Sequence, residues 1–267
     1  GCLKDTCKQT YMYKIYKPVY LSYEELRSSV KSLPSTDLKE VGKIYYKAPY
    51  IFVNELNKGI HVIDNSDPSS PQNIGFINIP GNVDMAIEGN ILYADSYIDL
   101  VALDITSPLV AKEVSRQQNV FPDRVYTNGW TGDASKGVIT DWIEADTLIE
   151  QDCALQYPIY FDSFFTGGMQ TTNSSGGTST GNMVTPGPGL AGSMARFAIY
   201  SNYLYCLDNA SMKLFDITNA SSPIQGTTVN MPWNIETIFP YSHYLFIGST
   251  TGVSIYDNSN PSSPSLV

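Results

Sequence analysis

The chain has 267 residues, a formal net charge of -10 at pH 7 and only 16% charged residues. It is long enough for a sizeable core, and its acidity argues against a phosphate-backbone partner, which requires a basic face. No stretch of 18 or more residues is apolar throughout, so none is suited to cross a membrane as a helix. With 19 Tyr, 20 Gly and 16 Pro, the composition suits short strands joined by tight turns.

The chain opens on Gly1-Cys2. A small residue followed by Cys is the form left when a bacterial lipoprotein signal is cleaved, and it predicts a lipid anchor on Cys2; the alternative is an ordinary Cys at an arbitrary boundary. Buried acyl methylenes contribute about 0.8 kcal/mol each, so an acylated Cys2 would hold the chain firmly to a membrane. Of the other cysteines, Cys206 sits in the apolar run Tyr203-Leu204-Tyr205-Cys206-Leu207 and reads as a buried strand residue. Cys7 and Cys153 lie in irregular segments and could pair in an exported protein, although spacing does not fix the pairing.

Residues 3–20 are polar and aromatic, and the alternation of Tyr11, Tyr13 and Ile15 favours an extended piece, either a tether or a strand. Ser22 and Glu25 form a capping box, with Leu21 and Leu26 as a hydrophobic staple. A helix is predicted from Tyr23 to Ser32, stopping before Pro34. Residues 1–35 therefore read as an N-terminal tether with a short helix, and 36–267 as the main domain.

From residue 36 a phrase recurs: an apolar pair, Asp, small polar residues, then Pro. It stands at Val62-Ile63-Asp64 through Pro68, Ala102-Leu103-Asp104 through Pro108, Leu214-Phe215-Asp216 through Pro223, and Ile255-Tyr256-Asp257 through Pro261. Asp64 to Asp104 is 40 residues and Asp216 to Asp257 is 41. An aromatic precedes the Asp each time, at Phe52, Tyr93, Tyr205 and Phe246. A period near 40 with about four strands per unit predicts an all-β fold, a β-propeller of four-stranded blades, in preference to a hairpin-rich sandwich. The units fall at about 36–81, 82–124, 125–193, 194–234 and 235–267. The third is degenerate: its Asp141 lacks the Pro turn, and a Gly/Ser/Thr-rich insertion follows at 163–193, expected to be a flexible loop. The fifth stops in mid-blade, so the propeller reads as incomplete in this chain, unless another chain covers the edge.

The recurring Asp has a mechanical reading. Its carboxylate accepts from a backbone N–H two residues on, closing a turn, and the Pro ends the ladder. Gly59, Gly137 and Gly252 are placed where a positive φ is needed before the third strand. Asp64-Asn65-Ser66-Asp67 clusters oxygen ligands but lacks the Gly and terminal Glu of a calcium loop, so no metal and no cofactor is expected.

This recurrence resembles the LVIVD repeat, a propeller-forming unit of bacterial and archaeal exported or surface proteins. The match runs over about 36–124 and 194–264, with Gly59-Ile60-His61-Val62-Ile63-Asp64 and Gly252-Val253-Ser254-Ile255-Tyr256-Asp257 nearest the motif. With Gly1-Cys2, the whole resembles LVIVD-repeat lipoproteins of the Bacteroidota kind. The resemblance implies a propeller lipid-anchored at the outer membrane and facing the cell surface or the periplasm, and it carries over no catalytic residue.

Little in the sequence suggests catalysis. The two His, His61 and His243, have no metal-ligand spacing, with His61 expected at solvent or a blade seam. Asp95/Asp99 and Asp141/Glu144/Asp146 are acid groups of the type a glycosidase uses. Asp146-Thr147-Leu148 resembles a Bacteroidota O-glycosylation signal, which makes Thr147 a candidate. Asn209-Ala210-Ser211 and Asn219-Ala220-Ser221 fit an N-glycosylation pattern that is accidental in a bacterium. Trp130, Trp142 and Trp233 are candidate partner-binding aromatics; packing under loops is the other reading. The expectation is a non-catalytic lipoprotein that binds outer-membrane or envelope proteins, as an accessory subunit of a complex. A glycan-binding propeller and a surface-polysaccharide hydrolase are the alternatives.

Overall fold

The computed structural model describes residues 8–126, 131–152, 195–232 and 234–267. They form an all-β protein with four antiparallel blades in a propeller arrangement and one short α-helix. In chain order, β1 (Lys8–Leu21) leads into α1 (Tyr23–Ser28). The first blade holds β2 (Lys31–Leu33), β3 (Val41–Lys47), β4 (Tyr50–Glu55), β5 (Gly59–Asp64) and β6 (Gln72–Asn78), hydrogen-bonded in the order β2-β6-β5-β4-β3. The second holds β7 (Met85–Glu88), β8 (Ile91–Ser96), β9 (Asp99–Asp104) and β10 (Lys112–Gln117). After β11 (Val138–Asp152) comes the third blade, β12 (Phe197–Tyr200), β13 (Tyr203–Leu207), β14 (Ser211–Asp216) and β15 (Ile224–Asn230). The fourth is β16 (Ile235–Tyr241), β17 (Tyr244–Ser249), β18 (Gly252–Asp257) and β19 (Ser265–Leu266).

Three expectations are corrected. The helix ends at Ser28, not Ser32, because Lys31–Leu33 is taken up as a fifth strand on the first blade, with Leu33 opposite Phe76. The degenerate third unit places no blade among the described residues: Val138–Asp152 is one long strand, antiparallel to β1 from Lys8↔Asp152 to Leu21↔Val138. The fifth unit does begin its fourth strand, with Tyr256↔Leu266 and Asp257↔Ser265.

The chain divides into two compact units, one built on β1 and β11 and the other holding the four blades. In the ribbon unit, Tyr20 Oη accepts from Asp133 N at 3.0 Å, and Tyr126 Oη donates to Ile139 O at 3.1 Å. Gly137 has φ +103, and a Cβ there would fall 2.1 Å from Leu21 O.

In the blade unit, period-2 alternation gives every blade two apolar faces, and consecutive blades pack face to face. Phe52, Ile60 and Val62 of the first blade meet Leu92, Val101 and Leu103 of the second. Tyr93, Leu100 and Ala102, on the second blade's other face, meet Leu204, Cys206 and Phe215. Tyr205, Met212 and Leu214 then meet Ile238, Leu245 and Tyr256. The Asp turns follow expectation with little variation: Asp64, Asp104, Asp216 and Asp257 each accept the backbone N–H two residues on at 2.8 Å. The glycine expectation holds at Gly59, φ +147, where a Cβ would lie 2.1 Å from Ile77 O. It fails at Gly252, whose backbone φ is not in the left-handed region and where a Cβ would meet open space.

The recurring aromatic has a second task. Tyr93 Oη donates to Ala220 O at 2.7 Å, in the Asp turn of the next blade. Tyr205 Oη reaches Pro261 O at 3.0 Å and Asn258 Oδ1 at 3.1 Å, again in the next blade's turn. Burial pushes the Tyr205 hydroxyl pKa up to about 12. Tyr205→Phe should cost about 1–2 kcal/mol, since it strips one bond from a buried acceptor pair while keeping the ring. Equilibrium urea unfolding checks this, and an unchanged midpoint would show that the hydroxyl contributes nothing.

Candidate functional site

The first strands of consecutive blades lie side by side, β7 against β12 and β12 against β16, and polar groups gather where they meet. Asp84, just before β7, is buried. Its Oδ1 accepts Met85 N at 2.6 Å and lies 2.9 Å from Lys43 Nζ, and its Oδ2 accepts Phe197 N at 2.7 Å and Arg196 N. Lys43 Nζ also donates to Phe197 O at 3.1 Å. One carboxylate and one ammonium thus join three blades. Burial pushes the Asp84 carboxyl above the ordinary range, with Lys43 and the amide donors pulling the other way.

Neighbouring carboxylates hold the loops that enter the blades. Asp95 Oδ1 accepts Asn82 Nδ2, Val83 N and Asp84 N at 2.9 to 3.0 Å. Glu55 accepts Lys39 N and Glu40 N at 2.9 and 3.0 Å. Burial works to raise the Glu55 pKa, but those amides with His61 and Lys58 outweigh it and bring it to about 2. Asp208 accepts Ser211 N at 2.7 Å and pairs with Lys213 Nζ at 2.7 Å. Cys206 is buried as expected, and burial first, then the Asp84 and Asp95 charges, push its thiol far up, the reverse of what a nucleophile requires.

His61 does not face solvent. It is fully buried, its ring 4.9 Å from that of Phe76 and its Nε2 3.2 Å from Glu55 Oε2. Strand alternation placed it correctly on the face opposite Val62, but could not show that this part of the face is covered. His243 is exposed, beside Tyr244.

Asp95, Asp99, Asp141 and Glu144 of the candidate acid groups make contacts within the fold. Asp99 is buried between Arg27 Nε at 2.9 Å and Arg116 Nη1 at 3.0 Å, and also accepts Asn119 N at 3.0 Å. Asp141 accepts Trp142 N at 2.8 Å, and Glu144 pairs with Lys14. Asp146 stands opposite Lys14 in the ribbon and Thr147, half-buried, opposite Tyr13. Trp142 packs edge-on to Tyr126, ring centroids 5.3 Å apart. Cys2, Cys7, Cys153, Trp130 and Trp233 lie outside the described residues. Among the described residues no three His, Cys, Asp or Glu side chains come together in a way that could hold a metal. A pocket of about 150 Å³ opens on the fourth blade, lined by Met231, Ile235, Ile247, Thr251 and Tyr256.

Among the described residues, one face of the fourth blade presents a row of exposed apolar side chains. Phe239, Phe246 and Ile255 stand in one row across its strands, flanked by Tyr241 and Tyr244 on one side and Val253 on the other. Phe239, Tyr241 and Val253 are 62%, 66% and 67% exposed. The first blade's outward face likewise leaves Ile44 and Tyr46 63% and 62% exposed. In the sequence Phe246 marks only the spacing, and its equivalence to Tyr93 and Tyr205 is the signal that it lies on the face which those residues turn to the next blade.

Alternating blade faces and one Asp turn per blade define a repeat-built β-propeller. The LVIVD repeat is matched at residues 43–78, 191–230 and 240–267, so the chain carries LVIVD repeats in its first, third and fourth blades, while the second has the same geometry outside the matched segments. No curated protein matches the sequence. Among solved structures, the periplasmic gluconolactonase of Pseudomonas aeruginosa is 7% identical, with a TM-score of 0.49 over 88% of this chain and 57% of its own. The computationally designed Ika4 protein is 6% identical (TM-score 0.43, 84% and 95% covered). BamB from Moraxella catarrhalis is 11% identical (TM-score 0.35, 84% and 61% covered).

Proposed function

We propose that the protein is a non-catalytic envelope lipoprotein, anchored through Cys2 at the outer membrane, whose propeller binds another protein as an accessory subunit of a membrane complex. The observation that carries the binding half is the uncovered row Phe239, Phe246 and Ile255 with Tyr241 and Val253. Large exposed apolar patches mark interaction sites, and aromatic side chains supply most of the binding energy at interfaces. The anchor rests on the form of Gly1-Cys2 and on the resemblance to lipoproteins. Of the carboxylates considered for hydrolysis, Asp95, Asp99 and Glu144 are occupied by backbone amides, Arg and Lys, which supports a structural role for them.

Affinity isolation from solubilised envelope should return a stoichiometric partner, and Phe239→Asp should abolish its recovery. Mass spectrometry of the native protein should show acyl mass on Cys2. Recovery of the same partner with Phe239→Asp would refute this face as the site, and an unmodified Cys2 would refute the anchor.

A further inference from the structure

β2 and β3 follow one another in sequence but lie at opposite edges of the first blade, so residues 34–40 have to pass from one edge to the other. Their hydrogen bonds mark the path. Thr36 O accepts Asn73 Nδ2 at 2.8 Å, beside the last residues of β5. Lys39 N and Glu40 N donate to Glu55, beside the first residue of β5, and Glu40 O accepts Leu56 N at 2.9 Å. The register puts Glu55, Val53, His61, Phe76 and Asn73 on one face: His61 stands opposite Val53 and Phe76, and Ile63 opposite Asn73. The segment therefore runs diagonally over that face. Beneath it His61 is fully buried, with Val53 and Phe76, while all seven residues of the segment are exposed.

We propose that residues 34–40 are a strap that lifts off the first blade as a unit, with the Glu55 carboxylate as its catch, and so controls access to His61. Two features favour lifting. The strap buries none of its own side chains, so it gives up mainly polar contacts that water replaces. His61 Nδ1 has no hydrogen-bond partner among the described residues, and a buried ring nitrogen in that condition costs free energy that contact with solvent relieves. The catch works against both. Glu55 accepts two strap amides as an ionised carboxylate, with Lys58 Nζ 3.3 Å away, and such bonds are stronger than the neutral one from Asn73. Once the strap is up, an imidazole set between Glu55 and the Phe76 ring is free to hydrogen-bond from outside. Nothing in this inference depends on the binding face assigned to the fourth blade.

The test uses the two His of the chain, with exposed His243 as the internal standard. Diethyl pyrocarbonate at neutral pH, with the modified residue located by mass spectrometry, reads access to His61, and amide exchange reads the strap through Lys39 and Glu40. In the wild type, His61 should react more slowly than His243, with the opening constant of the Lys39 and Glu40 amides and a larger one than that of β8 and β9. Glu55→Gln should raise the His61 rate about 10-fold or more, since one strap amide then faces an NH2 group. Asn73→Ala should raise it about 5-fold, the worth of one neutral hydrogen bond. Asn73 makes no hydrogen bond to His61, so this second variant separates opening of the strap from a change in the imidazole's own partner. The His243 rate and exchange in β8 and β9 should stay as in the wild type. His61 reacting only as fast as β8 and β9 open overturns the proposal, as does an Asn73→Ala protein with the wild-type His61 rate.

Discussion

Asp84→Ala should lower the unfolding free energy by about 3–5 kcal/mol, seen as a fall in Tm of roughly 10 °C. The carboxylate lies between three backbone N–H donors and Lys43 Nζ, and it is the group through which the first, second and third blades are tied. Removing it leaves an ammonium in a mostly buried place without its counter-charge and strands amides that have no water to turn to. Asp84→Asn should cost less, because one amide oxygen still accepts. Adding Lys43→Met to Asp84→Asn should recover part of the loss, since a buried pair is harmful chiefly when only one partner is removed. A change below about 1 kcal/mol in calorimetry of Asp84→Ala would contradict this account.

Asp99→Ala should have a comparable cost, about 3–5 kcal/mol, for a different reason. Asp99 is where Arg27 of α1 and Arg116 of β10 converge, so the substitution leaves two guanidinium groups facing each other across an emptied site. Part of the loss should be local. Amide exchange in Tyr23–Ser28 should speed up more than in β8 and β9, because α1 then loses the Arg27 ion pair that ties it to the second blade. Equal exchange protection in variant and wild type would show that the Arg27 link does not hold the helix.

The two carboxylates leave opposite pH signatures. Asp84 has its folded pKa raised by burial, so the share of stability linked to its protonation is present below the unfolded value and is lost as pH rises through the folded one. Burial also works to raise the pKa of Asp99, but Arg27, the Asn119 amide and Arg116 outweigh it. Its contribution is present above the unfolded value and is lost as pH falls through the folded one. Glu55 behaves like Asp99, with the fall running from about 4.5 down to about 2. Glu55→Gln should flatten that acid limb in urea titrations.

Local chemistry made much of the fold legible. The Asp turns could be read residue by residue, because an Asx turn is closed by a carboxylate and an amide two positions apart, with nothing distant involved. The strands β3–β6, β7–β10, β12–β15 and β16–β19 fall inside the units predicted at 36–81, 82–124, 194–234 and 235–267, since period-2 alternation and Pro or Gly punctuation act over short windows. Cys206 was legible for the same reason: an apolar run long enough for a strand buries its small members.

The candidate site was much less so. His61 sits on a strand face that alternation locates, yet whether the face is wet depends on what crosses it. Lys43 and Asp84 carry no motif, and their meeting depends on where the first strands of neighbouring blades lie. The ribbon is the plainest case: Lys8–Leu21 and Val138–Asp152 pair across some 130 residues, as in Lys14 with Glu144, and nothing within either segment names the other.

The sequence by itself determined the repeat, its turns and the alternation that gives each blade two apolar faces, because these are set by backbone chemistry over a few residues. Only the tertiary structure decided which faces are covered among the described residues and which charges meet where the blades converge. Those outcomes depend on contacts between segments distant in the chain.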